Sequence, residues 1–257
     1  MRNNQFTEPS KPRLNWPTPV KAIILAAGEG TRLRPLTLDC PKAMLPVGGK
    51  PLLEHTIELL KRHGITQIAI NLHHKPEAIT DHFGDGGELG VEITYSPEDP
   101  ILGTAGPVKK LERYLDDTFL VVYGDVLTNL DLTALASSHR RNGALATIAL
   151  YQVDNPSACG LVGMDDHLRI TCFAEKPPPA QVFTDLANTG ILILEPEIVK
   201  HIPPATFYDF GHDLFPRLLE EGVPMYGYPI SDADYLLDIG TIDHYERAQR
   251  EWPALSC

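Results

Sequence analysis

The chain has 257 residues, 43% of them hydrophobic, which suits one large α/β domain or two small ones. Its formal net charge of −12 argues against a nucleic-acid partner, which would require a basic face. No stretch approaches the roughly 18 consecutive apolar residues that span a bilayer, so we expect no membrane insertion.

The first 19 residues are polar and Pro-rich and lack the apolar core of a signal peptide. We therefore expect a disordered extension over residues 1–19, with Val20 opening the first strand. The cysteines show neither a Cys-x-x-Cys pair nor the spacing of a disulfide framework, which indicates reduced thiols in a cytoplasmic protein. They are Cys40, Cys159, Cys172 and Cys257.

Short apolar runs then alternate with segments of helical period. The runs predict strands at Lys21–Ala27, Gln67–Leu72, Glu92–Tyr95, Thr118–Tyr123, Ala146–Tyr151, Gly190–Leu194 and Pro224–Pro229. The helical segments are Pro51–Arg62, a helix starting at Gly103–Gly106, Asp131–Arg140, Asp213–Glu220 and Ile242–Glu251. This alternation predicts an α/β fold with a mostly parallel central sheet between helices. No Gly- or Ser-rich linker divides the chain, so we expect one domain over residues 20–257.

The first strand leads into a loop with the composition of a phosphate-binding site. The apolar run ends at Gly28-Glu29-Gly30, where backbone N–H groups can approach an anion closely. Arg32 offers a planar fork for phosphate oxygens, and Lys42 offers a mobile point charge. We interpret this segment as a polyphosphate-binding loop.

Two widespread phosphate loops do not fit this segment. The dinucleotide fingerprint requires a third glycine where Leu33 stands. The P-loop requires Ser or Thr after Gly-Lys, but Pro51 follows Gly49-Lys50.

The segment from Leu25 to Pro46 resembles the signature of the sugar-1-phosphate nucleotidylyltransferases. It matches Leu-Ala-x-Gly-x-Gly-Thr-Arg-Leu-x-Pro-Leu-Thr followed by Pro-Lys-x-x-Leu-Pro, with Ala27 where many members have glycine. The resemblance implies a Rossmann-like three-layer sandwich and transfer of a nucleotidyl group to a sugar 1-phosphate. It also implies a nucleotide half at about 20–143 and a sugar half at about 144–241. The nucleotide-binding residues would be Leu25, Ala26, Ala27, Gly28, Gly30 and Thr31, with Arg32, Lys42 and Asp125 catalytic.

Two carboxylates follow apolar runs, at Asp125 and at Asp238. Ligands of open α/β sheets lie outside the carboxyl ends of the strands, so a parallel sheet could bring both to one crevice. Magnesium bound with a triphosphate is held by one or two carboxylates and phosphate oxygens. The resemblance implies that Asp125 and Asp238 share Mg²⁺.

A sugar-phosphate site is implied by further matches in the second half. Glu175-Lys176-Pro177 matches the family's Glu-Lys-Pro segment, in which Lys176 would neutralise the phosphate and Glu175 would bind sugar hydroxyls. Asn188 would bind another hydroxyl, and Gly160 would bring the backbone to the sugar. Cys159 replaces the tyrosine of many relatives.

Base selection is predicted in the segment from Ser96 to Gly106. Its Leu-Gly-Thr-Ala-Gly run, with Gly103, Thr104 and Gly106, resembles the guanylyltransferase branch that makes GDP-mannose. Glu98 and Asp99 would suit the N–H donors of guanine.

We therefore expect a mannose-1-phosphate guanylyltransferase core that uses GTP and Mg²⁺ and that could form a homo-oligomer. Two alternatives remain open. The first is a uridylyltransferase or another nucleotide specificity on a different sugar 1-phosphate, such as an amino sugar or muramic acid derivative. The second is a regulatory module that binds a nucleotide sugar without catalysis.

Overall fold

The computed structural model describes residues 20–231 and 233–255, and the extension predicted at 1–19 lies outside them. The strands in this part of the chain are β1 (Lys21–Leu25), β2 (Pro46–Val47), β3 (Lys50–Pro51), β4 (Gln67–Leu72), β5 (Glu92–Pro97), β6 (Phe119–Tyr123), β7 (Val126–Thr128), β8 (Ala146–Gln152), β9 (Gly160–Met164), β10 (Ile170–Glu175), β11 (Leu186–Leu194), β12 (Met225–Pro229) and β13 (Leu236–Asp238). The helices are α1 (Leu52–Arg62), α2 (Pro76–Phe83), α3 (Gly106–Lys110), α4 (Leu132–Asn142), α5 (Phe215–Glu220) and α6 (Ile242–Leu255).

Nine strands form the central sheet, in the order β10-β9-β11-β6-β1-β4-β5, with β8 also paired to β11 and β12 paired to β8. The strands β1, β4, β5, β6, β8, β9 and β12 run in one direction, and β10 and β11 run against it. The sheet is therefore mixed but mostly parallel, and helices flank it, so the predicted α/β class is confirmed.

Both faces of the sheet are covered, because alternate residues of its strands enter different apolar cores. In β1, Ala22 and Ile24 belong to one core, which also contains buried residues of α1. Ile23 belongs to the other core, with residues of α5. This two-sided burial explains why the central strands are continuous apolar runs without alternation.

A third, smaller core lies beside the sheet. It consists of Leu33, Leu45, Val47, Leu52, Leu127, Leu237, Ile239, Ala248 and Trp252. The last two belong to α6, so the C-terminal helix closes this cluster. Trp252 Nε1 also donates to His55 Nδ1 on α1 at 3.2 Å.

A polar network around the buried His139 joins α4 to β8 and to the residues just before β6 and just after β11. His139 of α4 contacts Thr147 Oγ1 at 2.8 Å and Glu195 Oε1 at 3.0 Å, and its side chain is 2% exposed. Thr118 donates to the same carboxylate oxygen at 2.8 Å. The hydrogen bond from His139 lowers the pKa of Glu195 below its ordinary 4.5.

Several predicted elements differ in extent from those observed. The first strand ends at Leu25 rather than Ala27, and α3 covers only Gly106–Lys110. The strand predicted at Gly190–Leu194 begins at Leu186 and is antiparallel to its neighbours. In the described residues, no helix is both long enough and apolar enough to cross a membrane.

Candidate active site

The predicted phosphate loop follows the carboxyl end of β1. Ala26 and Ala27 are buried, whereas Gly28 and Thr31 are exposed. Gly30 has a φ of +63°, and a Cβ atom there would lie 3.0 Å from Lys42 Cβ. Both the left-handed conformation and this close approach require glycine.

Around this loop, the structure brings two cations and two carboxylates together. Lys42 Nζ lies 2.5 Å from Asp125 Oδ2 and 3.9 Å from Asp238 Oδ1. Arg32 lies near the carboxylate of Asp238, and Gly240 is beside both. A Cβ atom added to Gly240 would lie 3.1 Å from Arg32 Nη2 and 3.2 Å from Asp238 Oδ1. The predicted catalytic residues therefore form one cluster.

The expectation that the parallel sheet itself brings the two aspartates together is wrong. Asp238 ends β13, which pairs antiparallel with β7 outside the central sheet. In that pairing Asp238 lies opposite Val126, and Ile239 N–H donates to Asp125 O at 2.9 Å. A local antiparallel ribbon thus replaces the strand-end geometry that we expected.

The electrostatics of this cluster depend on Asp238. Its side chain is 46% exposed, yet Oδ1 is shielded from solvent and accepts no hydrogen bond. Burial and the neighbouring Asp125 raise the pKa of Asp238 to about 6, although Lys42 and Arg32 oppose the shift. A buried carboxylate oxygen that lacks a donor is a suitable ligand for a hard cation.

The two carboxylates therefore fit Mg²⁺ bound together with phosphate oxygens. Within residues 20–231 and 233–255, no three or more His, Cys, Asp or Glu side chains group as ligands for a metal ion. Because Mg²⁺ is usually bound by one or two carboxylates plus substrate phosphates, two carboxylates suffice for such a site.

A second cluster surrounds Glu175 at the end of β10. Glu175 pairs with Gly160 across the sheet, and Glu175 Oε1 lies 3.2 Å from Lys176 Nζ. A Cβ atom on Gly160 would lie 2.6 Å from Glu175 Oε2, and one on Gly211 would lie still nearer. The carboxylate thus rests between two glycines, while Lys176 is exposed.

Asn188 is less available than we expected. It lies within β11, and its Oδ1 accepts a hydrogen bond from Gly190 N at 2.9 Å. Gly190 has a φ of +78°, and a Cβ atom there would lie 2.7 Å from Tyr123 Cγ. Binding of a sugar hydroxyl by Asn188 stays a prediction, with its amide nitrogen as the group that could act.

The Leu-Gly-Thr-Ala-Gly loop packs against the chain before α5. The N–H groups of Ala105 and Gly106 both donate to Tyr208 O. The Thr104 hydroxyl donates to Asp209 Oδ2 at 2.7 Å and accepts from Phe210 N at 2.8 Å.

The two glycines of this loop lie close to the backbone before α5. A Cβ atom on Gly103 would lie 2.6 Å from Tyr208 O, and one on Gly106 would lie 2.8 Å from Thr206 O. The glycines permit this packing, and their role with nucleotide stays a prediction.

Glu98 does not offer the free carboxylate that we expected for guanine. It is 4% exposed, and its two oxygens accept hydrogen bonds from Asn71 Nδ2 at 2.8 Å and from Leu102 N at 2.9 Å. Asp99, in contrast, is exposed.

Sequence reasoning missed several residues of these clusters, notably Asn71, Asp209 and Gly211. Asn71 did carry a signal, because it is a polar residue that interrupts the apolar run of β4 after Gln67. Asp209 accepts from Gly211 N and His212 N and so caps the turn before α5. A cap of this kind cannot be distinguished from an ordinary loop aspartate by sequence.

Comparison with known proteins shows the family of this chain. Residues 21–254 match the family model described as nucleotidyl transferase. The chain belongs to this family. It is 43% identical over 245 residues to a UTP–glucose-1-phosphate uridylyltransferase of Synechocystis and 38% identical over 236 residues to a mannose-1-phosphate guanylyltransferase of Mycobacterium tuberculosis. Each alignment covers 90% of this chain, which spans 63% and 64% of those relatives.

Two solved structures are also similar. A Bacillus anthracis protein assigned as a glucose-1-phosphate thymidylyltransferase and crystallised with sucrose aligns with a TM-score of 0.81 and 27% identity, over 91% of this chain and 95% of that one. HddC from Yersinia pseudotuberculosis, complexed with GMP-PN, aligns with a TM-score of 0.76 and 26% identity, over 91% and 99% of the two chains.

Proposed function

We propose that this chain transfers a nucleoside monophosphate from a nucleoside triphosphate to a sugar 1-phosphate and releases pyrophosphate. The observation that carries the proposal is the cluster in which Lys42 Nζ lies 2.5 Å from Asp125 and 3.9 Å from Asp238 beside the glycine loop. A cation and two carboxylates beside a glycine loop suit the transfer of a nucleotidyl group. In that reaction negative charge on the attacking and departing phosphates must be neutralised.

Each group has a role in this reaction. The sugar phosphate oxygen attacks the α-phosphorus in line, and no covalent enzyme intermediate is required because positioning and charge neutralisation suffice. Lys42 contacts the α-phosphate, and Arg32 holds the departing phosphates. Asp125 and Asp238 would hold Mg²⁺, which would supply further neutralisation of phosphate charge. Lys176 orients the attacking phosphate, and Glu175 binds sugar hydroxyls.

For the substrate pair, we propose GTP and mannose 1-phosphate. The Leu102–Gly106 loop of the guanylyltransferase type supports this pair, as do the exposed carboxylate of Asp99 and the similarity to the Mycobacterium protein. The engagement of Glu98 within the protein removes one of the two carboxylates that favoured guanine.

The second candidate pair is UTP and glucose 1-phosphate. It is favoured by the identity of 43% to the Synechocystis protein, compared with 38% to the Mycobacterium guanylyltransferase.

The test is pyrophosphate release from purified protein with GTP, UTP, dTTP, CTP or ATP against a panel of sugar 1-phosphates. We expect the highest kcat/KM with GTP and mannose 1-phosphate. A preference for UTP of about tenfold, equivalent to about 1.4 kcal/mol, would replace the guanylyltransferase proposal with the uridylyltransferase one. Nucleotide binding without pyrophosphate release from any pair would instead support a regulatory module.

A further inference from the structure

Two buried side chains connect the phosphate loop to the base loop. Asn71 is the next-to-last residue of β4, where it pairs with Leu25 of β1 and Ser96 of β5, and it is 1% exposed. Its Oδ1 accepts from Ala26 N at 2.7 Å, and its Nδ2 donates to Glu98 Oε1 at 2.8 Å. Glu98 Oε2 then accepts from Leu102 N at 2.9 Å. One continuous chain of hydrogen bonds therefore runs from Ala26 to Leu102.

The direction of every bond in this chain is fixed. A backbone N–H at each end can only donate, and a carboxylate can only accept, so the orientation of the Asn71 amide between them is determined. In the native chain, the side chain of Asn71 must donate to Glu98, and Glu98 must accept from both Asn71 and Leu102 N. Burial removes water as a substitute partner, so the loss of one bond leaves a polar group unsatisfied.

We propose that Asn71 and Glu98 are a positioning pair that holds the phosphate loop and the base loop at a fixed separation. This inference rests on the proposed function, because it assigns those loops to the two ends of one nucleoside triphosphate. Glu98 acts through the protein rather than on the base. Loss of the pair therefore weakens use of every nucleotide by the same factor, whereas loss of a base-reading residue would change the preference between bases.

Three variants separate these roles. Glu98→Gln places an amide where two hydrogen bonds must be accepted, so one of them is lost. Asn71→Asp places a second carboxylate against Glu98 and removes the donor between them. The double variant Asn71→Asp/Glu98→Gln restores every bond with the central one reversed: the amide at position 98 donates to the carboxylate at position 71. Its carbonyl then accepts from Leu102 N.

The matched control is Glu92→Gln, the same change at an exposed carboxylate at the other end of β5. We expect each single variant to lower kcat/KM for GTP and for UTP alike by about tenfold or more, through a raised KM for nucleotide. The KM for sugar 1-phosphate and the GTP-to-UTP ratio should stay within about twofold of wild type. The double variant should recover most of the loss, and Glu92→Gln should behave as wild type.

Three results would overturn the proposal. The first is a change of about tenfold in the ratio of kcat/KM for GTP to that for UTP in Glu98→Gln. The second is a double variant that folds but is as impaired as the single variants. The third is a pair of single variants that have a lower Tm but wild-type kinetics. If a single variant does not fold, recovery of folding and activity in the double variant still supports the pair. If the wild type releases no pyrophosphate with any substrate, the proposed function fails separately. The same loss and recovery should then be seen in GTP and UTP affinities measured by calorimetry.

Discussion

Substitution of Gly160 tests whether the position of Glu175 controls use of the sugar phosphate. In Gly160→Ala, the added Cβ would lie 2.6 Å from Glu175 Oε2 and 2.9 Å from Phe173 Cζ. Since real Cβ atoms essentially never come within 3.0 Å of such neighbours, the carboxylate must move by at least 0.4 Å, the difference between 3.0 and 2.6 Å. A displacement approaching 1 Å at a reacting centre can cost about 10²-fold in rate.

We therefore expect Gly160→Ala to lower kcat/KM for the sugar 1-phosphate by roughly tenfold to 10²-fold, with KM for nucleotide unchanged. The assay is steady-state pyrophosphate release with each substrate varied in turn. Gly211→Ala, whose added Cβ would come still nearer to the same oxygen, should give the same pattern. Neither glycine has a positive φ, so backbone strain does not contribute. Wild-type KM for the sugar phosphate in both variants would refute the assignment of Glu175 to the sugar.

Three other outcomes are expected. Asp125→Asn and Asp238→Asn should each reduce kcat by at least about 10²-fold. Because the two carboxylates act as one unit, the double variant should lose far less than the product of the two single losses. Near-normal Mg²⁺-dependent turnover in either single variant would remove that residue from the site. Lys176→Ala should raise KM for the sugar 1-phosphate much more than KM for nucleotide, and equal effects on both substrates would contradict its proposed place. Glu195→Gln should lower the free energy of unfolding at neutral pH, since the hydrogen bond from His139 lowers the carboxyl pKa in the folded state. That contribution is present above pH 4.5 and is lost as pH falls below it. Chemical denaturation should therefore show that the difference in free energy of unfolding between variant and wild type shrinks in acid. A difference that is independent of pH would count against the ionised carboxylate.

The sequence predicted seven of the nine strands of the central sheet, because burial on both faces makes these strands apolar runs. The strands β9 and β10 were missed, since β9 contains two glycines and β10 has exposed residues within it. The bounds predicted for Gln67–Leu72 are those observed for β4. The apolar run that ends at Asp238 does form a strand, β13, but that strand lies outside the central sheet. Its partner β7 was missed, since a three-residue strand carries too little pattern to be recognised. Their pairing is set by tertiary packing in the third core rather than by local sequence.

The candidate site could be predicted only in part for a similar reason. The resemblance to the nucleotidylyltransferase signature implied the cluster of Arg32, Lys42, Asp125 and Asp238, although the ribbon that brings the two aspartates together was not expected. Glu98 was misassigned because a carboxylate in a loop has the same sequence pattern whether it faces a ligand or a buried amide. Only its 4% exposure and its two donors reveal which it is.

The third core has a consequence for inactivation by heat. Leu33 follows Arg32, Leu45 lies three residues after Lys42, and Leu237 and Ile239 flank Asp238, so one small cluster fixes the backbone beneath the two cations and the carboxylate proposed to bind metal. Its closure depends on Trp252 of the last helix rather than on the nine-stranded sheet. Local opening of that helix would release these groups while the sheet stays folded, because stability is not uniform across a structure. Activity should therefore be lost on warming at a lower temperature than the one at which the sheet unfolds. Substitutions that stabilise the packing around Trp252 should accordingly slow thermal inactivation.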